Sequence, residues 1–345
     1  MKILIVGGGI AGLTTALTLL KRNISFKLMD QGNNNSTLTA AGMINPIVFR
    51  RTTKSWRVDE FMPSLLRFYQ NIEKETNQSF LHPLKLRRIF SSTQEREEWI
   101  KKQIRSDYKH YLAEIIPEDD NYNLVNSPFG TGRVRQSFWV NSELFMSSCL
   151  EFLSTTKNIV KAEFNHHKFD PQLKKYEDEY YDKVVFCEGS GVKNNPLFAY
   201  LDIRSTKGQL LTISASDIPE DESLNRKCFV LPIGNKHFRI GSTYEWNALD
   251  ALPTREGKEI ILENLQVITN IKPEIINHTA GIRPTTFDRR PFIGEHPKYK
   301  DNFIFNGLGT KGYMIAPLLS EELVNHMLEG TELHPEVLIH RVKNS

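Results

Sequence analysis

Positions 7 to 12 read "GGGIAG", four glycines in six residues, and this run constrains the fold more than any other stretch of the chain. It is preceded by the apolar, strand-like Lys2-Ile3-Leu4-Ile5-Val6 and followed by "LTTALTLLKR", whose leucines recur at helical spacing. The order is strand, tight turn, helix. Gly7, Gly9 and Gly12 fit G-x-G-x-x-G: the first glycine permits the turn, the second lets a pyrophosphate approach the backbone, and the third lets the helix lie close on the strand. Ala16, one helical turn past Gly12, keeps that contact small. A helix starting at the turn aims unpaired N–H groups and a partial positive charge at a phosphate. The next strand-like run, Ile24 to Asp30, ends in a carboxylate eighteen residues after Gly12. Asp30 stands where an acid accepts hydrogen bonds from an adenosine ribose.

With 345 residues, 39% of them hydrophobic, the chain is long enough for two domains or for one large α/β body with an inserted cap. A net charge of +3 is too small to argue for a nucleic-acid partner, although it leaves room for a local basic patch. Cys149, Cys187 and Cys228 are odd in number and widely spaced, with no C-x-x-C. That pattern fits reduced thiols in a cytoplasmic protein, and neither a disulfide framework nor a metal site is expected. The N-terminal apolar run enters the glycine turn at once and lacks a small-residue cleavage site, so it reads as a core strand and not a signal peptide. No stretch approaches a membrane span.

After Asp30 comes a polar segment, "QGNNNSTLTA", read as a loop, then "AGMINPIVFRR". Residues 56–76 have apolar positions at helical spacing and predict an amphipathic helix, with Pro63 either kinking it or marking its true start. Between 158 and 189 three strand-like runs end in "DKVVFCEGSG". Residues 207–246 look antiparallel, with "CFVLPIG" and "KHFRIGSTYEW" joined at Gly234-Asn235, a natural hairpin turn. A helix, "TREGKEIILENLQVITN", precedes "EIINHTAGIRP". Near the C-terminus "NFIF" enters a second glycine turn, Gly307, Gly309 and Gly312, and an amphipathic helix closes at Gly330. Two anion-seeking helix starts at opposite ends of one chain imply a long ligand with two polar ends.

With these pieces in order, the sequence resembles the D-amino-acid oxidase, glycine oxidase and sarcosine oxidase family of FAD enzymes. The resemblance rests on "GGGIAGLTTAL", "AAGMINP", "VVFCEG", "KGQLL", "GIRPTTFDRRPFIG" and "NGLGTKGY", which fall in the family's order and span nearly the whole chain. It implies an α/β fold: a Rossmann-like FAD-binding domain, in residues 1–49, 142–205 and 280–345, interleaved with an α+β substrate or cap domain, in 50–141 and 206–279, that carries an antiparallel sheet over the flavin. By the same resemblance Gly7, Gly9, Ile10, Ala11, Gly12, Asp30 and Gln31 hold the ADP half, with Val160, Cys187 and Gly189 beside it. Ala41, Gly42 and Met43 approach the flavin, and Gly309, Thr310, Lys311, Gly312 and Tyr313 place N–H groups at its pyrimidine end. A positive dipole there favours flavin reduction.

The arginine of "AGIRP" clamps the substrate carboxylate in this family's amino-acid oxidases, and Arg283 occupies that position. A planar guanidinium meets a carboxylate in two parallel hydrogen bonds. The structural alternative is an Arg283 paired with a buried acid such as Asp288. Arg50 and Arg51 are further candidates, because sarcosine-type relatives place a carboxylate-binding arginine in the loop after the second strand; the alternative for each is a solvated charge. Tyr244 and His278, on cap-type strands, either line a pocket or serve as core residues.

The sequence also departs from the family. Lys311 replaces the arginine that glycine oxidases carry in the terminal turn, and it either sits near the flavin and favours oxygen reduction or is a solvated turn residue. "CEG" replaces a small-residue-glycine pattern, so Cys187 is expected only to pack near FAD. No cysteine follows Cys228, whereas sarcosine oxidases attach flavin to a cysteine in the segment matching "GIRPTTFD", and non-covalent FAD is therefore expected. The implied activity is oxidation of a C–N bond of an amino acid or related amine by hydride transfer to flavin N5. The electron acceptor is O2 or a quinone or protein acceptor. Two other readings stand beside it. One is an FAD-dependent oxidase acting on a carboxymethylaminomethyl-type modified tRNA base, for which "RRTTKSWR" would be a basic, aromatic footprint. The other is a non-catalytic scaffold that keeps the nucleotide fold.

Overall fold

The computed structural model describes residues 1–33, 35–246 and 250–341. Asn34, inside the expected polar loop, and residues 247–249 and 342–345, inside the expected domain ranges, lie outside the described residues.

The opening strand, Lys2–Val6, is buried from Ile3 onward, as a strand covered on both faces must be. It pairs in parallel with Ser25–Met29 on one side and Lys183–Phe186 on the other. Ile159–Val160 extends the sheet beyond Ser25–Met29, Asn302–Asn306 beyond Lys183–Phe186, and Phe292–Glu295 closes the far edge antiparallel. One face is covered by four helices, Ile10–Lys21, Val58–Thr76, Ser142–Thr155 and Gly312–Glu329, whose apolar sides make one continuous core. The other face packs Phe186, Val192, Phe198 and Tyr176.

Val58–Thr76 buries Val58, Phe61, Met62, Leu65, Tyr69 and Ile72, the three-and-four spacing of an amphipathic helix, and it runs through Pro63 without starting there. The polar segment after Asp30 is not a loop throughout: Asn35–Thr39 is a short helix. Its Ser36 Oγ donates to the Ile282 carbonyl, and Thr39 Oγ1 donates to the Ala280 carbonyl at 3.2 Å. These two hydroxyls cover an edge strand that would otherwise present bare carbonyls.

The second sheet is built on two long strands, Ile203–Ser214 and Glu274–Thr286, paired antiparallel from Ile203 opposite Thr286 to Ser214 opposite Glu274. Beyond Ile203–Ser214 come His237–Gly241, Phe229–Gly234, Ser223–Asn225, Leu86–Ile89 and Thr131–Val134. The pairings are antiparallel except that of Leu86–Ile89 with Ser223–Asn225, which is parallel. Helix Arg255–Gln266 lays Ile261 and Leu265 on Leu211, Ile213, Phe238 and Ile240, with Thr254 capping its start by accepting from Gly257 N at 3.1 Å. The expected boundaries at 205/206 and 279/280 fall inside the two long strands. The end of the Glu274–Thr286 strand reaches the terminal glycine turn through the bridge between Thr285 and Leu308, and the main cavity lies along that contact.

Candidate cofactor and substrate site

A cavity of about 830 Å³ runs from the first glycine turn, past the start of the second sheet, to the terminal glycine turn. At its nucleotide end Gly7 has φ +98°, and a Cβ there would lie 2.6 Å from the Cys187 carbonyl oxygen. A Cβ on Gly12 would stand 1.8 Å from the Gly7 carbonyl oxygen, so Gly12 lets helix and turn touch and does not itself line the cavity. Gly7, Gly9, Ile10, Ala11, Asp30, Gln31, Cys187 and Gly189 do. Asp30 accepts from Gly8 N at 2.9 Å and Gly32 N at 3.0 Å, so the carboxylate also fixes the turn it faces.

Val160 is not brought to the cavity. Its carbonyl accepts the Asp30 N–H at 3.0 Å, and the wall past it is formed by Ala162, Glu163 and Phe164. The sequence reading also missed a polar group here: Glu188 contacts His166 Nε2 at 2.7 Å and accepts from Asn195 Nδ2 at 2.6 Å. Burial pushes the Cys187 thiol up, which leaves it protonated and unreactive.

At the other end Gly307 and Gly309 take φ +81° and +56°, and Gly309 N donates to the Pro284 carbonyl at 3.0 Å. The terminal helix begins at Gly312 with no side-chain cap, which leaves first-turn N–H groups for a ligand. Pro317 has no N–H to give the Tyr313 carbonyl one helical turn back. The buried Tyr69 hydroxyl donates to that carbonyl at 2.7 Å instead. Thr37, which the sequence did not single out, ties the two helix starts together: its Oγ1 accepts from Ile10 N at 3.1 Å, and its carbonyl accepts from the Tyr313 hydroxyl at 3.0 Å. Ala41, Gly42, Met43 and the Gly309-Thr310-Lys311-Gly312-Tyr313 run all line this end.

Arg283 projects from the Glu274–Thr286 strand over Gly208, where a Cβ would lie 1.8 Å from its Nη2. Nη2 donates to Ser242 Oγ at 2.9 Å and Nη1 to the Thr243 carbonyl at 3.3 Å, while the guanidinium lies 5.6 Å from the centroid of the Tyr244 ring. Among the described residues no carboxylate ion-pairs with it. Glu245 acts on it only through space and is itself bonded to Gln209 Nε2 at 2.6 Å and Thr243 Oγ1 at 2.9 Å. Asp288, the expected structural partner, instead takes Arg341 at 2.9 Å. Burial lowers the Arg283 pKa from its ordinary value, yet a guanidinium stays charged. Its charge therefore rests on a hydroxyl, a carbonyl and the field of Glu245, with no ion pair among the described residues.

Lys311 is not a solvated turn residue. Its Nζ lies deep in the cavity wall, donating to the Asn45 carbonyl at 3.0 Å and Ser55 Oγ at 2.5 Å, and burial pushes its pKa down to about 8. The bridge between Thr285 and Leu308 brings the strand of Arg283 against the turn of Lys311, and both residues line the cavity. Arg50 and Arg51 are exposed on the turn Phe49–Arg51 and do not line the cavity. The Arg51 carbonyl accepts from Lys102 Nζ at 2.8 Å, which holds the turn against the neighbouring helix. Tyr244 lines the cavity mouth and is 42% exposed, whereas His278 does not reach the cavity.

A strand–glycine turn–helix with its ribose-position acid, a second bare helix start and a half-buried arginine on the same cavity define a dinucleotide-dependent oxidoreductase. The model of the FAD-dependent oxidoreductase family known as DAO matches residues 2–326, and the chain belongs to that family. A glycine oxidase of Bacillus subtilis is 22% identical over 96% of this chain and 95% of its own. The tRNA 5-methylaminomethyl-2-thiouridine biosynthesis bifunctional protein MnmC of Marinobacter nauticus is 20% identical over 95% of this chain but only 55% of its own length. A glycine oxidase from Pseudomonas aeruginosa is 30% identical over a stretch spanning 44% of this chain and 43% of its own. Among solved structures, glycine oxidase from Geobacillus kaustophilus has a TM-score of 0.80 at 18% identity, covering 96% of this chain and 95% of that one.

The residues fit FAD on geometric grounds: the glycines stand where a Cβ would collide with the turn, and the cavity has a helix start at each end. Among the described residues no group of side chains could hold a metal ion, and no helix is long and apolar enough to cross a membrane.

Proposed function

We propose that the chain holds FAD non-covalently and oxidises the C–N bond of an amino acid, or a related amine, whose carboxylate is gripped by Arg283. The observation that supports this most is the Arg283 guanidinium itself, buried against the cavity with only hydroxyl and carbonyl partners among the described residues. The flavin, when bound, supplies the two-electron acceptor. The protein orients the substrate: Arg283 fixes the carboxylate, Tyr244 covers the guanidinium, and the sheet excludes water from one side. Loss of a hydride from the carbon bearing the amine and of a proton from its nitrogen leaves an imine, which water hydrolyses to an oxo acid and ammonia, or to an oxo acid and a primary amine where the nitrogen is substituted. Lys311, lining the same cavity, supplies positive charge where negative charge accumulates.

The test is anaerobic mixing of the purified yellow protein with a panel of amino acids and secondary amines, followed by bleaching of the visible band. Arg283→Ala should raise the substrate dissociation constant by the roughly 2–5 kcal/mol that truncating a buried charge pair costs, with FAD retained. A mutant that still prefers a carboxylate substrate over the matching amine as sharply as wild type would place the clamp elsewhere. Reoxidation by O2 compared with a quinone then identifies the acceptor.

A second reading, oxidation of a modified tRNA base, draws on the bifunctional relatives and on Trp56, which lines the cavity with the Arg290 guanidinium 4.7 Å from its ring centroid. Bleaching by modified tRNA, and by no free amino acid, would favour it.

A further inference from the structure

The cavity face of the second sheet is a trough with chemically different ends. Residues directly opposite in antiparallel strands share a face, as do every second residues along a strand. Arg283 opposite Thr206, Gly281 opposite Gly208, and the row Leu210, Gly241, Phe229 therefore follow one another on one face. Arg283 lies over Gly208 at one end. At the other, Leu210 folds over Gly241, its Cδ2 standing 2.3 Å from where a Cβ would be, and Phe229 stands opposite Gly241 on the next strand. Leu210 and Phe229 both line the cavity. Among the described residues of these four strands that line it, Arg283 alone is charged.

We infer that Leu210 and Phe229 seat an apolar substituent on the amino acid held by Arg283, so that the substrate is a monocarboxylate larger than glycine. This rests on the reading that Arg283 grips the substrate carboxylate. Gly208 and Leu210, two residues apart in an extended strand, are separated by about 7 Å. A glycine gripped at Arg283 ends two bonds past its carboxyl carbon and leaves the apolar end in contact with water. An alkyl group on the nitrogen or on Cα fills that span, and each methylene moved from water into contact with Leu210 and Phe229 adds affinity. A second carboxylate would be driven against apolar side chains, since the nearest cation on that face, Arg239, does not line the cavity and is already bonded to Glu143 and Ser142.

The experiment uses the FAD-loaded protein and non-reacting acids, read through perturbation of the flavin absorbance. Dissociation constants for acetate, propionate, butyrate and valerate should fall by roughly three- to fourfold per methylene until the trough is filled, and succinate should bind more weakly than butyrate. In Phe229→Ser the gradient should flatten while acetate binds as before. Reduction by sarcosine, N-butylglycine, alanine and norvaline then tells whether the substituent sits on nitrogen or on Cα. A flat wild-type series, or succinate binding more tightly than butyrate, overturns the inference even if Phe229→Ser fails to fold. If the gradient appears but no amino acid reduces the flavin, the trough stands and the oxidation reading falls.

Discussion

Gly208 and Arg283 act as one device, because the guanidinium occupies the space a side chain at 208 would take. Gly208→Ala puts a methyl group against Nη2, and the fork must tilt away from Ser242 Oγ. We expect the substrate KM to rise by roughly five- to 150-fold, the about 1–3 kcal/mol of an overpacked site, with the FAD dissociation constant within twofold of wild type. A Gly208→Ala enzyme with unchanged KM would mean that the arginine does not bind substrate from this position. The arginine was legible in the sequence because a local motif, "AGIRP", marks it. Gly208 was not, since its role depends on lying opposite Gly281 in a strand more than seventy residues away. Arg51 follows the second strand as a clamp would, but a turn of three residues faces it to solvent, the solvated-charge alternative its sequence position left open.

At the scale of elements, local pattern sufficed where apolar periodicity or glycine punctuation governs, as in the Ile10–Lys21 helix, the Phe229–Gly234 and His237–Gly241 hairpin, and the helix closing at Gly330. It failed for Asn35–Thr39, whose polar composition favours a loop and whose hydroxyls find their acceptors on the distant edge strand. The terminal helix shows how tertiary contacts compensate a local defect, since Tyr69 supplies the hydrogen bond that Pro317 removes. Its N-cap, Lys311, has a burial cost that can be measured. Burial lowers the pKa from 10.5 to about 8, so the unfolded chain holds this proton at pH values where the native state has released it. Native stability therefore rises with pH between those values. Lys311→Met should stabilise substrate-free protein below pH 8, by about 3 kcal/mol at most, and the gain should disappear above about pH 10.5. Urea denaturation at pH 7 and pH 10.5 checks this. An equal effect at both would show that the mutation acts through packing and not through charge.

The molecule as a whole places its cavity where the two sheets meet, so a single long ligand would touch segments from both ends of the chain. The first glycine turn and Asp30 come from the start of the sequence, and the Gly307–Tyr313 turn comes from its end. Thr37 links the helices that follow those turns. Binding at one end is thereby connected to order at the other. Cofactor that binds only the native state stabilises it by about 2.7 kcal/mol at a hundredfold excess over its dissociation constant. We expect added FAD to raise the melting temperature and to slow amide exchange together in residues 7–12, 36–43 and 307–313, with little change at the distant Leu86–Ile89 strand. Asp30→Ala should weaken FAD, since it loses the bonds to Gly8 and Gly32 that fix the turn and, on the proposed reading, a ribose acceptor, at roughly 1–3 kcal/mol. Acid precipitation should leave the colour in the supernatant, because no cysteine follows Cys228 and the buried Cys187 thiol is held protonated. Protection confined to residues 7–12, with 307–313 exchanging as before, would show that the dinucleotide does not span the cavity, and the terminal helix start would lose its assigned place beside the flavin.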